Sequence, residues 1–104
     1  MKEKTLKNKI IKVLNSEGWV CWYPIRNRYR KVDIFSCYDL VCAGGSKRDE
    51  IKLIQFTTTS NAAARRRKIK NFLKENNLMI NSELWSYDKR NKKWKIENIY
   101  PQLS

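Results

Sequence analysis

Residues 32–45, VDIFSCYDLVCAGG, followed after a short charged turn by residues 51–59, IKLIQFTTT, decide the fold of this chain. Both segments are apolar and rich in β-branched and aromatic residues. Gly44, Gly45 and Ser46 between them supply turn chemistry, so they read as adjacent strands over residues 37–43 and 50–58. Each strand carries polar residues where an apolar one would pack better. Asp39 interrupts a run that is otherwise apolar on both faces, and Gln55 and Thr57, at i and i+2, share one face of their strand. An unpartnered buried carboxylate is costly, so a position like Asp39 answers to a charge or a metal.

Elements on either side follow from periodicity. Leu6, Ile10, Val13 and Leu14 recur at helical spacing until Gly18, with Glu3 and Glu17 extending the stripe at its two ends. Residues 19–23 form a short strand closed by Pro24. Arg26, Arg28, Arg30 and Lys31 then make a basic loop interleaved with Asn27 and Tyr29. Thr59, Ser60 and Asn61 are N-cap residues for a helix over 62–76 with Ile69, Phe72 and Leu73 inward. Residues 83–87 and 93–99 read as a hairpin across Asp88-Lys89-Arg90-Asn91. The expected order is α-β-β-β-α-β-β, an α/β fold with a mixed central sheet flanked by helices.

At 104 residues the chain is one domain, residues 1–104, and its 41% apolar content suits a packed core. Its 23 Lys and Arg against 10 Asp and Glu leave a net charge of +13, the footprint of a polyanion binder. No apolar run is long enough to span a bilayer, and residues 1–4 lead into an amphipathic pattern rather than a signal peptide, so no membrane partner is expected. Cys21, Cys37 and Cys42 lack metal-ligand spacing and suit reduced, buried thiols in a cytoplasmic, intracellular protein. The chain has no histidine, which removes His-containing zinc sites and Ser-His or Cys-His nucleophile pairs.

A carboxylate on one strand and a polar pair at the end of its neighbour is the layout of a metal-dependent phosphodiesterase. That chemistry needs a cation on the phosphate, an activated water and positive charge for the transition state. Magnesium or manganese takes oxygen ligands. Asp39 is the best of these, because its apolar strand gives it no other evident reason to be charged, and its replacement is expected to spare or even stabilise the fold. Gln55 offers an amide oxygen. Asp33 could add a second carboxylate, although a solvated loop residue beside Arg30 and Lys31 explains it equally well. On the second helix the inward stripe runs back from Phe72 and Ile69 to Arg65 and Ala62, which puts Arg65 near the sheet. Arg66, Arg67 and Lys70, with the basic loop residues Arg26, Arg28, Arg30 and Lys31, suit contacts to a nucleic-acid backbone; a solvated helical face accounts for the helix run as well. Trp19, Trp22, Trp85 and Trp94 could stack on bases, but strand tryptophans are more often packing residues, and no site is assigned to them.

DIFSCYDLV, then IQFTTTSN and an Arg/Lys-rich helix start, resembles the PD-(D/E)XK nuclease superfamily, in particular its small Holliday-junction-resolvase-like and phage-type members. The resemblance implies a restriction-endonuclease-like αβββαβ core and a Mg2+- or Mn2+-dependent endonuclease acting on DNA, duplex or branched. By analogy it implies a homodimer. Asp39 takes the place of the motif aspartate and Gln55 that of the acid some members replace with Gln. Thr57 falls where the family has lysine, so Arg65 or Lys68 must supply that charge from the helix, or cleavage is weak or lost. Neither Glu3 nor Glu17 clearly matches the family's first-helix glutamate. The alternative expectation is a nuclease-fold protein that binds nucleic acid without cutting it.

Overall fold

The computed structural model describes residues 3–24, 33–35 and 37–100, with the side chain of Glu3 excepted. Along them run α1 (Glu3–Ser16), β1 (Trp19–Trp22), β2 (Leu40–Gly44), β3 (Glu50–Thr58), a 3-10 turn (Thr59–Asn61), α2 (Ala62–Glu75), β4 (Ser82–Asp88) and β5 (Lys93–Ile99). The strands make one sheet in chain order, antiparallel at every step except β3–β4, which is parallel. A parallel pair cannot be joined by a tight turn, and α2 is the crossover that joins this one. The architecture is α/β, with a five-stranded mixed sheet and two helices. Among the described residues no helix is long and apolar enough to cross a membrane.

The element order is the one read from the sequence; several boundaries differ by a residue and one by three. β2 starts at Leu40 rather than at residue 37. Ile34 and Tyr38 form a small bridge of their own, each N–H donating to the other's carbonyl at 2.8 and 2.9 Å. The chain turns there through Phe35, at φ +52°, and Asp39 is left at the entry to the strand.

The two sheet faces hold separate cores. Lys52, Ile54 and Phe56 alternate toward one face, where Ile54 and Phe56 join Leu40, Cys42, Trp85 and Tyr87 under Leu6, Ile10 and Leu14 of α1. Leu53 and Leu84 lie on the other face, beneath Ala62, Ile69 and Leu73 of α2, with Tyr38 in the same cluster. By the same alternation Gln55 and Thr57 belong to the α2 face. At the far edge Gly44 has φ +120°, and a Cβ there would stand 2.6 Å from the Gly18 carbonyl oxygen, so only glycine lets the hairpin pass the end of α1.

Within the α1-side core lies a charge pair that the sequence pattern does not announce. The Lys52 ammonium, in a residue only 5% exposed, sits 3.0 Å from Glu83 and 4.0 Å from the centre of the Trp19 ring. Glu83 Oε1 also accepts the Trp85 indole N–H at 2.9 Å. Breaking such a pair strands the surviving charge in apolar surroundings, whereas replacing both partners is often neutral. Glu83→Ala should therefore lose about 3–5 kcal/mol in urea unfolding, and Lys52→Met combined with Glu83→Leu far less. Equal losses in the single and double variants would contradict this account.

Candidate active site at the end of β3

The site arises because β2 stops pairing before β3 ends. Their ladder runs only to Leu40 opposite Ile54, while β3 continues to Thr58. The Leu53 N–H donates across to Asn81 on the β4 side at 2.9 Å, so odd-numbered residues of β3 address β4 and even-numbered ones address β2. Phe56 therefore aims its N–H at a place where β2 offers no carbonyl. Asp39 Oδ2 accepts that N–H at 3.0 Å, and the Asp39 N–H donates to the Ile54 carbonyl at 2.8 Å. This finding corrects the expectation that the fold has no use for the carboxylate. Its side chain replaces a missing rung, at a residue 8% exposed.

Next to Asp39, Gln55 and Thr57 are buried and line the same cavity. Gln55 Nε2 reaches the Phe56 carbonyl only at 3.4 Å, and Gln55 Oε1 is buried without a hydrogen-bond partner. A buried, unsatisfied acceptor is rare in folded proteins and is often completed by a ligand or an ion. The cavity, of about 360 Å³, is open to solvent. Arg65, from the first turns of α2, and Lys89, from the turn between β4 and β5, line the same cavity.

The start of α2 borders the same space through Ser60 and Asn61. The 3-10 turn and α2 have no side-chain cap and no acidic residue in their first turns. The Ala62 N–H is taken by the Thr59 carbonyl, and the positive end of the helix dipole has no acidic side chain beside it to offset it. Oxygen acceptors on the strands and positive groups on the helix and hairpin flank one cavity. Asp39 is its only carboxylate among the described residues.

Other expected site residues are placed elsewhere. Lys68 is exposed and lines a separate hollow of about 240 Å³ with Phe35, Cys37 and Phe72. Burial pushes the Cys37 thiol up to about 11 in spite of the nearby Lys68 charge. Asp33 acts on that same thiol and does not line the Asp39 cavity. Among the described residues, no group of three His, Cys, Asp or Glu could hold a metal. Arg66, expected to meet phosphate, instead grips Glu97 of β5 with both ends of its guanidinium, at 2.7 and 2.8 Å, and ties α2 to the sheet. Arg67 is exposed and Lys70 half-buried.

Arg26, Arg28, Arg30 and Lys31 lie outside the described residues, as does Tyr29. Tyr23 has the Lys7 ammonium 4.0 Å from its ring centre. Leu6 of α1 borders the cavity, whereas Glu17 lies exposed beyond the other end of that helix. Burial also raises the Cys21 and Cys42 thiols, and Tyr38, held against Ser82 Oγ at 2.7 Å, is pushed up to about 12. None of these groups is a ready nucleophile near neutral pH. Lys89 and Ser60 were missed in the sequence. Lys89 reads there as ordinary hairpin-turn chemistry, and only the folded turn carries it to the cavity.

Two outcomes follow for stability. Asp39→Ala should cost about 1–3 kcal/mol by stranding the Phe56 N–H, while Asp39→Asn, which keeps an acceptor oxygen, should cost less. Equal stability of both variants and the wild type in denaturant unfolding would contradict the rung. The hydrogen bonds from Arg66 hold the Glu97 carboxyl below its usual range. A carboxyl lowered by folding contributes above its unfolded value, about 4.3, and the contribution is lost as pH falls through the folded value. Thermal stability should drop in that acid window, and Glu97→Gln should flatten the drop.

No protein-family model matches the chain, and no curated protein or solved structure matches it significantly.

Proposed function

We propose that this protein is a Mg2+- or Mn2+-dependent endonuclease that hydrolyses DNA phosphodiester bonds in the cavity at the end of β3. The observation that carries the reading is the orphaned Gln55 Oε1, which lines one cavity with the Asp39 carboxylate, Arg65, Lys89 and the residues that lead into α2. Acceptors that would hold a cation thus adjoin donors that would hold a phosphate. The order α1-β1-β2-β3-α2-β4, with β3 and β4 parallel, supports the αβββαβ core of the nuclease superfamily that the sequence resembles. The net charge of +13 supports a polyanionic substrate.

The oxygen-only donor set fits a hard divalent cation. Asp39 and Gln55 would hold it, with the Thr57 hydroxyl alongside. A carboxylate has about four lone-pair sites, so binding a cation is compatible with the bond from Phe56. When bound, such a cation polarises the phosphate and acidifies the attacking water. Arg65 and Lys89 would orient the phosphate and stabilise the charge that grows on its oxygens as the water oxygen adds to phosphorus and the ester P–O bond breaks. The attacking water releases its proton to solvent, and the departing oxygen takes one up from solvent.

A guanidinium only donates hydrogen bonds, so Arg65 stabilises charge and cannot take the proton from water. Lysine is the family's usual aid to that water, and Thr57 cannot replace it. Turnover should therefore be slow. A second reading, binding without cleavage, is favoured by two facts: a single carboxylate in the cavity among the described residues, and Thr57 at the lysine position.

A cleavage assay on duplex, branched and single-stranded DNA, with and without Mg2+ or Mn2+, separates the two readings. Cleavage should require the metal and be abolished by Asp39→Asn without loss of DNA affinity. Arg65→Ala should slow cleavage more than it weakens binding, and Thr57→Lys should raise the rate about a hundredfold, the usual worth of a positioned proton-transfer group. A wild type that binds DNA and cuts in neither metal, with Thr57→Lys equally inert, would establish the non-cutting reading.

A further inference from the structure

The α2-side face of the sheet is only partly covered. α2 packs over β3, β4 and β5. Toward the β1 edge of the same face, Val20 and Ile51 are 73% and 64% exposed, and Ala43, paired with both, is also exposed. Trp22 belongs to this surface, since Trp19 and Cys21, of the opposite parity on β1, pack against the α1-side core. Trp22 is 59% exposed, whereas Trp85 is buried and Trp19 and Trp94 pack against that core. An indole held open on a strand in a small, strongly basic domain calls for a planar partner.

Register relates Trp22 to the cavity. Trp22 pairs with Val41, and Val41 with Leu53. Two residues further along these strands stand Asp39 and Gln55. The Trp22 row and the Asp39–Gln55 row therefore share one face and lie about 7 Å apart along the strands. A strand of nucleic acid with a phosphate in the cavity would therefore have this platform on the same face of the sheet.

Resting on the nuclease reading above, we propose that Trp22 is a base-stacking platform, so that the substrate is single-stranded DNA, or DNA with unpaired bases beside the phosphate in the cavity. A paired base buries its faces against its neighbours in the duplex, and only an unpaired one can lie on an indole. Sheet-borne aromatic residues stack unpaired bases in this way in other nucleic-acid-binding folds. The charge of the chain favours this polyanionic occupant over a second, equally cationic copy of the protein.

The test is equilibrium binding in EDTA, so that no strand is cut, of a fluorescent single strand and of the same sequence as a duplex. The proteins compared are the wild type, Trp22→Ala and Trp22→Phe, each checked for folding by circular dichroism. Trp22→Ala should weaken single-strand binding about tenfold, with duplex binding changed less than about twofold and Trp22→Phe retaining most of the affinity. Equal losses on both substrates, or no loss, would overturn the proposal. So would unchanged single-strand affinity together with a wild-type dimer that becomes a monomer in Trp22→Ala on sedimentation, which would assign the patch to a second copy. Cleavage does not enter these outcomes: an inactive wild type would refute the nuclease reading and leave the platform to be judged by binding alone.

Discussion

Everything distinctive about this fold depends on one mismatch in strand length. β3 continues past the last residue of β2 that pairs with it, and a β3 N–H is left facing away from any carbonyl. The Asp39 carboxylate accepts it and so replaces the missing rung. An acid is thereby fixed at the mouth of the sheet, on the same face as Gln55 and Thr57, where α2 begins. The geometry of the candidate site is thus a by-product of how the sheet ends.

That arrangement divides the cavity by charge. The strands contribute oxygen acceptors, one of them the unsatisfied Gln55 Oε1, and the helix start and hairpin turn contribute Arg65 and Lys89. In a partly enclosed site these opposite groups act at lower effective dielectric than at the open surface, and each favours a ligand of the other sign. A phosphate with an accompanying divalent cation satisfies both sides at once, whereas a phosphate alone or a cation alone leaves one side unanswered. The opposite face of the sheet spends its buried charges differently, closing Lys52 and Glu83 on each other beneath Trp19.

Much of this is legible in the chain because the strands obey simple alternation. β3 and β5 fall at the residues their patterns indicate, and the stripe through Ile69 and Ala62 brings Arg65 to the cavity. The reading of β2 erred because an apolar run does not reveal that Ile34 and Tyr38 bridge each other before the strand starts. The Arg66–Glu97 pair went unseen for a related reason. The Arg-rich run looks uniform in sequence, yet the Arg66 guanidinium finds Glu97 on a strand thirty-one residues away. Lys89 and the Lys52–Glu83 pair depend on sheet register, which periodicity within a single element cannot supply. The exposure of Trp22 escaped for the same reason, since a strand tryptophan is usually packed and α2 packs over β3, β4 and β5 rather than over β1.

The central claim is that a divalent cation and a phosphate share the cavity at the end of β3. Paramagnetic broadening of amide resonances by Mn2+, recorded with and without a short DNA strand, tests it most directly. The account predicts that the signals of Asp39, Gln55, Phe56 and Thr57 broaden first, that DNA lowers the Mn2+ concentration required, and that Asp39→Asn removes the selective effect. Broadening centred on other residues, or an undiminished effect in Asp39→Asn, would contradict it.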